Sequence, residues 1–211
     1  MHSSGPERKP KGHTMQNTAV NTKAETGLFS SRIQARKLCM IAVMTTLAVM
    51  GRVLFAALPG FKPVAAIVIL TGMYFGAGSG FTTGALAALV SNIYFMQGPW
   101  TPFQMLAWGS IGLLSGVFRR PLKRFPILLC IWGALAGVYY SLFMDTWMVF
   151  WYNSKPTWQL WLAAVSTGVF SMITYVISNV VFLAALSPAM GRRLMRISRK
   201  CGIVNDLLTK R

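Results

Sequence analysis

The chain has 211 residues, of which 54% are hydrophobic and only 12% charged, about half the charged fraction of an ordinary soluble domain. The formal net charge is +17, yet between Cys39 and Met190 the only acid is Asp145. So sparse a polar exterior excludes a water-soluble fold for the middle of the chain and points to lipid as its solvent, while basic residues that flank apolar runs, rather than forming an aromatic–basic surface, argue against nucleic acid as a partner.

Residues 1–31 are rich in Ser, Thr, Asn, Gly, Lys and Pro without apolar periodicity, and read as a disordered cytoplasmic tail. Because this start is polar, no cleavable signal peptide is expected, and the first apolar run serves as its own insertion signal. A membrane domain is expected over 32–190 and a basic cytoplasmic tail over 191–211. Cys39, Cys130 and Cys201 are far apart with no CxxC, which suggests free thiols rather than a metal site or a disulfide framework.

Six apolar spans follow in order. Span one runs from about Leu38 to Leu58 and is interrupted by Arg52; the turn Pro59-Gly60-Phe61-Lys62-Pro63 closes it. Span two, about Val64 to Phe75, is short, with Gly76 to Gly80 available to extend it or to turn. Span three is about Phe81 to Met96, and the segment Gln97-Gly98-Pro99-Trp100-Thr101-Pro102 is a rigid polar–aromatic loop. Span four is about Phe103 to Phe118. A basic break, Arg119 to Arg124, precedes span five (about Pro126 to Phe150), and a turn at Tyr152 to Pro156 precedes span six (about Trp158 to Leu186).

A full span takes about 20 residues, so spans two to four are marginal alone and re-entrant segments are the alternative. Charge placement decides for six. With the N-terminus inside, Arg8, Lys9, Lys11, Lys23, Arg32, Arg36 and Lys37, the four bases of the break, and Arg192, Arg193, Arg196, Arg199, Lys200, Lys210 and Arg211 all fall on the inner side. Only Arg52, Lys62 and Lys155 fall outside, as the positive-inside rule requires of an N-in/C-in arrangement. The expected fold is therefore an all-α integral membrane bundle of about six transmembrane helices, multi-pass in the plasma membrane of a bacterium.

Two small-residue stripes indicate close helix contacts: Ala42, Thr46, Ala48 and Gly51 in span one, and Gly80, Gly84, Ala87 and Ala88 in spans two to three. Internal packing is the simpler use of both, with partner docking on another face as the alternative.

Ionisable groups inside a span are expensive and mark candidate sites. Arg52 and Asp145 each lie about six residues, roughly 9 Å, before the outer end of their spans. They are expected either to pair or to face a polar cavity open to the outside. Around the third loop, Asn92, Tyr94, Gln97, Trp100, Gln104 and Trp108 gather amides and aromatic faces at the outer ends of spans three and four, a lining suited to a flat or heteroaromatic solute. Trp147, Trp151, Tyr152, Trp158 and Trp161 could equally form an interfacial belt. Asn179 reads as an interhelical hydrogen bond.

Signs of catalysis are missing. His2 and His13 lie in the tail, no HExxH or GxSxG occurs, Asp145 has no second carboxylate, and Gly76 to Gly80 lacks the ending of a phosphate-binding loop. A non-enzymatic protein without cofactor or metal is expected. It would capture a small solute and draw energy from a partner; a self-sufficient secondary transporter or channel is the alternative, which a single intramembrane acid disfavours.

The stretch Gly51-Arg52-Val53-Leu54-Phe55-Ala56-Ala57-Leu58-Pro59-Gly60-Phe61-Lys62-Pro63, with Val90-Ser91-Asn92, Gly98-Pro99-Trp100-Thr101-Pro102-Phe103-Gln104-Met105 and Ser178-Asn179-Val180-Val181-Phe182, resembles the substrate-binding S component of energy-coupling factor (ECF) vitamin transporters. Within that family it is similar to the branch associated with cobalamin and its precursors. The resemblance covers about residues 38 to 204. It implies a six-helix subunit that holds a vitamin near the outer face and docks on a transmembrane T component driven by two ATPase subunits. The family often docks through Ala-x-x-x-Ala in span one. The nearest match is Ala42-x-x-x-Thr46, with Ala48 beside it, and Thr46 departs from the motif. The substrate contacts expected on this basis are Arg52, Lys62, Asn92, Tyr94, Gln97, Trp100, Gln104, Trp108 and Asp145.

Overall fold

The computed structural model describes residues 34–200. The tails expected at 1–31 and beyond Lys200 lie outside the described residues. Seven helices and no strands are present among the described residues: α1 (Gln34–Leu54), α2 (Val64–Phe75), α3 (Ala77–Phe95), α4 (Thr101–Val117), α5 (Arg119–Arg124), α6 (Pro126–Tyr152) and α7 (Trp158–Lys200). α1, α6 and α7 are long and apolar enough to cross a membrane on their own. The protein is an all-α membrane protein.

α2 has only 12 residues, and all of them are buried. An apolar sequence with no polar face has nowhere to sit except inside a bundle, and α2 contacts α3, α4, α5, α6 and α7. Its length is bounded by Pro63 before it and Gly76 after it. Gly76 takes φ +97°, a conformation that side-chain-bearing residues rarely adopt. The expected extension of span two through Gly80 therefore does not occur. Gly76 alone is the turn, and 77–80 form the first turn of α3.

The stripe at Gly80 and Gly84 packs inside the bundle. A Cβ on Gly80 would lie 2.4 Å from the Gly112 carbonyl oxygen of α4, and one on Gly84 would lie 2.4 Å from the Trp108 carbonyl oxygen. Gly72 of α2 meets the same Gly112 oxygen, at 2.2 Å from a built Cβ. Three helices thus approach backbone to backbone, which only small residues allow.

The outer end of α1 departs from expectation. The helix stops at Leu54 rather than Leu58, and the chain tightens into successive turns, with Ala56 N–H donating to Val53 O at 3.1 Å and Leu58 N–H to Phe55 O at 3.0 Å. Arg52 consequently lies two residues from the helix end, shallower than its sequence position suggested. The turn rests on α7 through Phe55, Phe61 and Phe182, whose ring centroids are 5.1–5.9 Å apart.

The basic break is a six-residue helix, α5, with Leu122 buried. α7 does not end near Leu186. It continues through Pro188 to Lys200, about 64 Å at 1.5 Å per residue, twice a hydrocarbon core of about 30 Å. Gly191, Leu194 and Ser198 keep a helical spacing and are buried. Ser198 Oγ donates to the Tyr74 carbonyl at 2.8 Å, so the last turns are held against the end of α2.

Candidate substrate-binding site

Arg52 is the centre of the polar interior. Its Nη1 donates to Asn92 Oδ1 at 2.8 Å and to Ser91 Oγ at 2.5 Å, both on α3. Asn92 is fully buried, and its Nδ2 donates to Thr101 Oγ1 at 3.0 Å and to Gln104 Oε1 at 2.9 Å on α4. Gln104 Nε2 then donates to Tyr140 Oη of α6 at 2.7 Å. One chain of hydrogen bonds therefore ties α1, α3, α4 and α6. Buried polar groups must be paired in this way, because the bilayer offers no water in exchange.

The guanidinium also lies over two rings, 4.8 Å from the Phe95 centroid and 5.1 Å from that of Trp108. Trp108 stacks on Tyr140 at 5.6 Å with 17° between planes, and Tyr140 meets Tyr175 of α7 edge-on at 5.0 Å. Lys62 reaches the same group from the α1–α2 turn, its Nζ 5.4 Å from the Tyr175 ring. Its backbone is fixed by one hydroxyl: Lys62 N–H donates to Ser178 Oγ at 2.8 Å, and that hydroxyl donates to Lys62 O at 3.0 Å. Burial, with Arg52 close by, pushes the Lys62 ammonium down to about 8.

Lys62, Trp108, Tyr140, Tyr175 and Asn179 are among the residues that line a small, partly open cavity of about 10 Å³, room for one water at most. Three aromatic rings, Lys62 and Asn179 share its lining with Val64, Ala65 and Gly137.

Of the residues expected from sequence, the fold brings Arg52, Lys62, Asn92, Gln104 and Trp108 together. It leaves four apart. Tyr94 is 68% exposed. Gln97 is exposed and donates to the Leu89 carbonyl at 2.9 Å, which closes the α3–α4 turn. Trp100 folds its ring back over Gly98, where a Cβ would lie 2.4 Å from the ring. Asp145 accepts from Ser141 Oγ at 3.4 Å on its own helix and lies against Gly168 of α7. No ion pair joins it to Arg52 among the described residues. Arg52 turns to α3 instead, where two neutral acceptors wait.

Ser91, Thr101, Tyr140 and Tyr175 were not marked by the sequence reading. The two tyrosines carried a usable signal, since they sit well inside their helices, away from the headgroup level where Tyr usually anchors. Asn179 donates to the Gly133 carbonyl at 3.0 Å, the interhelical bond expected of it, and also lines the cavity. On α1, Ala42 and Thr46 lie on the exposed face, with Thr46 Oγ1 donating to Ala42 O at 2.9 Å. Ala48 is fully buried in the bundle and presents nothing to a partner.

The family model described as ECF-type riboflavin transporter, S component, matches residues 32–188. The chain belongs to this family. It is therefore the substrate-binding subunit of an ECF-type vitamin transporter, a membrane transport protein and not an enzyme. S components of this type work with a T component and ATPases. The match is to the riboflavin type and gives no support to the cobalamin branch. No curated protein and no solved structure matches the chain.

Proposed function

We propose that this S component captures a flavin-type vitamin at the outer face of a bacterial plasma membrane and delivers it through a T component energised by two ATPase subunits. The observation that carries the substrate reading is the cluster of Trp108, Tyr140 and Tyr175 beside Arg52 and Lys62. Flat aromatic walls suit a fused heteroaromatic ring, and cationic donors suit its carbonyl edge. The riboflavin description of the family agrees with this chemistry. The family match is to the riboflavin type, and it is this match rather than the size of the cavity that favours a flavin over a corrin.

The cavity is partly open but far smaller than a vitamin, so a ligand enters by displacing a neighbouring segment. The 55–63 turn is the segment placed to move: it rests on α7 through the Phe55, Phe61 and Phe182 rings, Gly60 against Thr174 and the Ser178 hydroxyl. The N-in/C-in orientation, supported by the inner-side basic residues, puts that turn on the outside. The exposed pair Ala42 and Thr46 remains the proposed docking face for the T component.

Two measurements test the reading. Tagged protein drawn from native membranes should bring two ATPase subunits with it, and the purified protein should bind riboflavin or its phosphate ester in calorimetry. A protein that purifies alone and drives ion-coupled uptake in liposomes would instead be a secondary transporter.

A further inference from the structure

The charge inside the site is one-sided. Arg52 uses Nη1 for both of its hydrogen bonds, and its other guanidinium N–H groups have no acceptor among the described residues. Among the described residues the Lys62 ammonium lies over the face of Tyr175, near Arg52, and makes no hydrogen bond, and every acceptor on Arg52 is neutral. Asp145 is the single acid in residues 34–200, and it is bonded to Ser141 and pairs with neither cation. Two cations thus share one aromatic-walled site with no carboxylate bonded to either among the described residues, and Asp145 acts there only at a distance, on Tyr175.

Membrane interiors rarely leave a cation uncompensated, and two close together repel as well. Neutral hydrogen bonds and ring faces hold Arg52 in place without cancelling its charge. An acid at position 92 would have been the simplest structural solution, yet an amide stands there. We infer that the ligand brings the missing charge: the bound vitamin carries a compact anionic group, a phosphate ester or a carboxylate, that lies between Arg52 and Lys62. A phosphate ester carries about −1.5 to −2 at neutral pH, enough to balance both cations, and a guanidinium with unused N–H groups is well suited to hold it. This inference rests on the Arg52–Tyr175 cluster being the substrate site.

The test uses the full chain in nanodiscs of zwitterionic lipid, so that no anionic headgroup competes. Calorimetry compares riboflavin with riboflavin 5′-phosphate. The phosphate ester should bind at least tenfold more tightly, and Lys62→Gln, a turn residue outside the bundle core, should remove most of that preference. Arg52→Gln should do the same if it folds. Equal or tighter binding of riboflavin overturns the inference while keeping the flavin reading, as does a preference that survives in Lys62→Gln. If neither flavin binds, the flavin reading falls. Thermal stabilisation by inorganic phosphate over chloride at matched ionic strength then decides. Stabilisation that vanishes in Lys62→Gln supports an anionic ligand of another kind, and none at all overturns it.

Discussion

Asn92→Leu isolates the network that holds Arg52. Asn92 is fully buried and makes three side-chain hydrogen bonds, one to a guanidinium and two to neutral groups. Leu keeps the branched shape and the number of side-chain heavy atoms but is bulkier, so no cavity is left, the loss is mainly polar and overpacking adds to it. Neutral side-chain hydrogen bonds within membrane proteins average about 0.6 kcal/mol, and one to a charged group is worth about 1.5–3 kcal/mol. Arg52 keeps Ser91, which places the charged bond at the low end. The expected destabilisation is about 3 kcal/mol, read from reversible unfolding in mixed detergent–SDS micelles by tryptophan fluorescence. Asn92→Asp separates charge from hydrogen bonding. It keeps the acceptor on Arg52 and adds the counter-charge that the site lacks, but gives up the two bonds donated by Nδ2; with Thr101 donating and the Gln104 amide turned over, its loss should be clearly smaller than that of Asn92→Leu. Its affinity for an anionic ligand should fall by at least tenfold, because the carboxylate already occupies the guanidinium. A loss below about 0.5 kcal/mol in Asn92→Leu, or equal losses in both variants, would refute the reasoning.

Three further outcomes are expected. Gly80→Ala forces a methyl to within 2.4 Å of the Gly112 carbonyl oxygen, and since backbone cannot yield as a side chain does, a loss of about 1–3 kcal/mol is expected in the same unfolding assay. Ser178→Ala strips Lys62 N–H and O of their partner; freeing the turn should speed ligand release about tenfold in stopped flow, from roughly 1–1.5 kcal/mol of lost restraint. Lys62 is depressed to about 8 in the folded protein from 10.5, so between these values the unfolded chain binds more protons and stability rises with pH, by an amount on the order of 3 kcal/mol. Arg52, Tyr140 and Tyr175 face the ammonium, and the pH 8–10 rise should disappear in Lys62→Gln, whereas persistence would assign it to those neighbours.

The sequence made half of the site legible, and the reason is physical. Arg52, Asn92 and Gln104 are polar side chains in apolar helices, and lipid leaves such groups few destinations besides one another. Trp108 follows Gln104 at one helical turn, so it shares the same face. The residues that scattered, Tyr94, Gln97 and Trp100, lie at a helix end and in a loop, where the chain itself supplies partners: the Leu89 carbonyl for Gln97 and the open face of Gly98 for Trp100. Equal depth suggested an Arg52–Asp145 pair, but depth fixes only one coordinate. The angle around each helix decided the outcome, and Ser141, four residues before Asp145 on the same helix, was near enough to satisfy it. Hydroxyls were the least legible. Thr71, Ser79 and Ser115 all bond the carbonyl four residues earlier, so nothing in the pattern sets Ser91 or Thr101 apart from them. The extension of α7 was hidden by Pro188, yet the spacing of Gly191, Leu194 and Ser198 already described a helical face to be buried.

The division of labour between α2 and the turn before it gives the site its character. α2 is buried on every side, with Gly72 locked against Gly112 at backbone distance, so the inner half of the bundle offers little freedom. The 55–63 turn, by contrast, meets α7 through three rings and one shared hydroxyl. A carboxylate at position 92 would have neutralised Arg52 permanently and made the empty site the stable one. An amide leaves the charge free, so the empty site carries an electrostatic penalty that a suitable ligand removes. Under the proposed reading, capture draws its affinity from relief of that penalty, and withdrawal of Lys62 with its turn would separate the two cations and weaken the hold on the ligand.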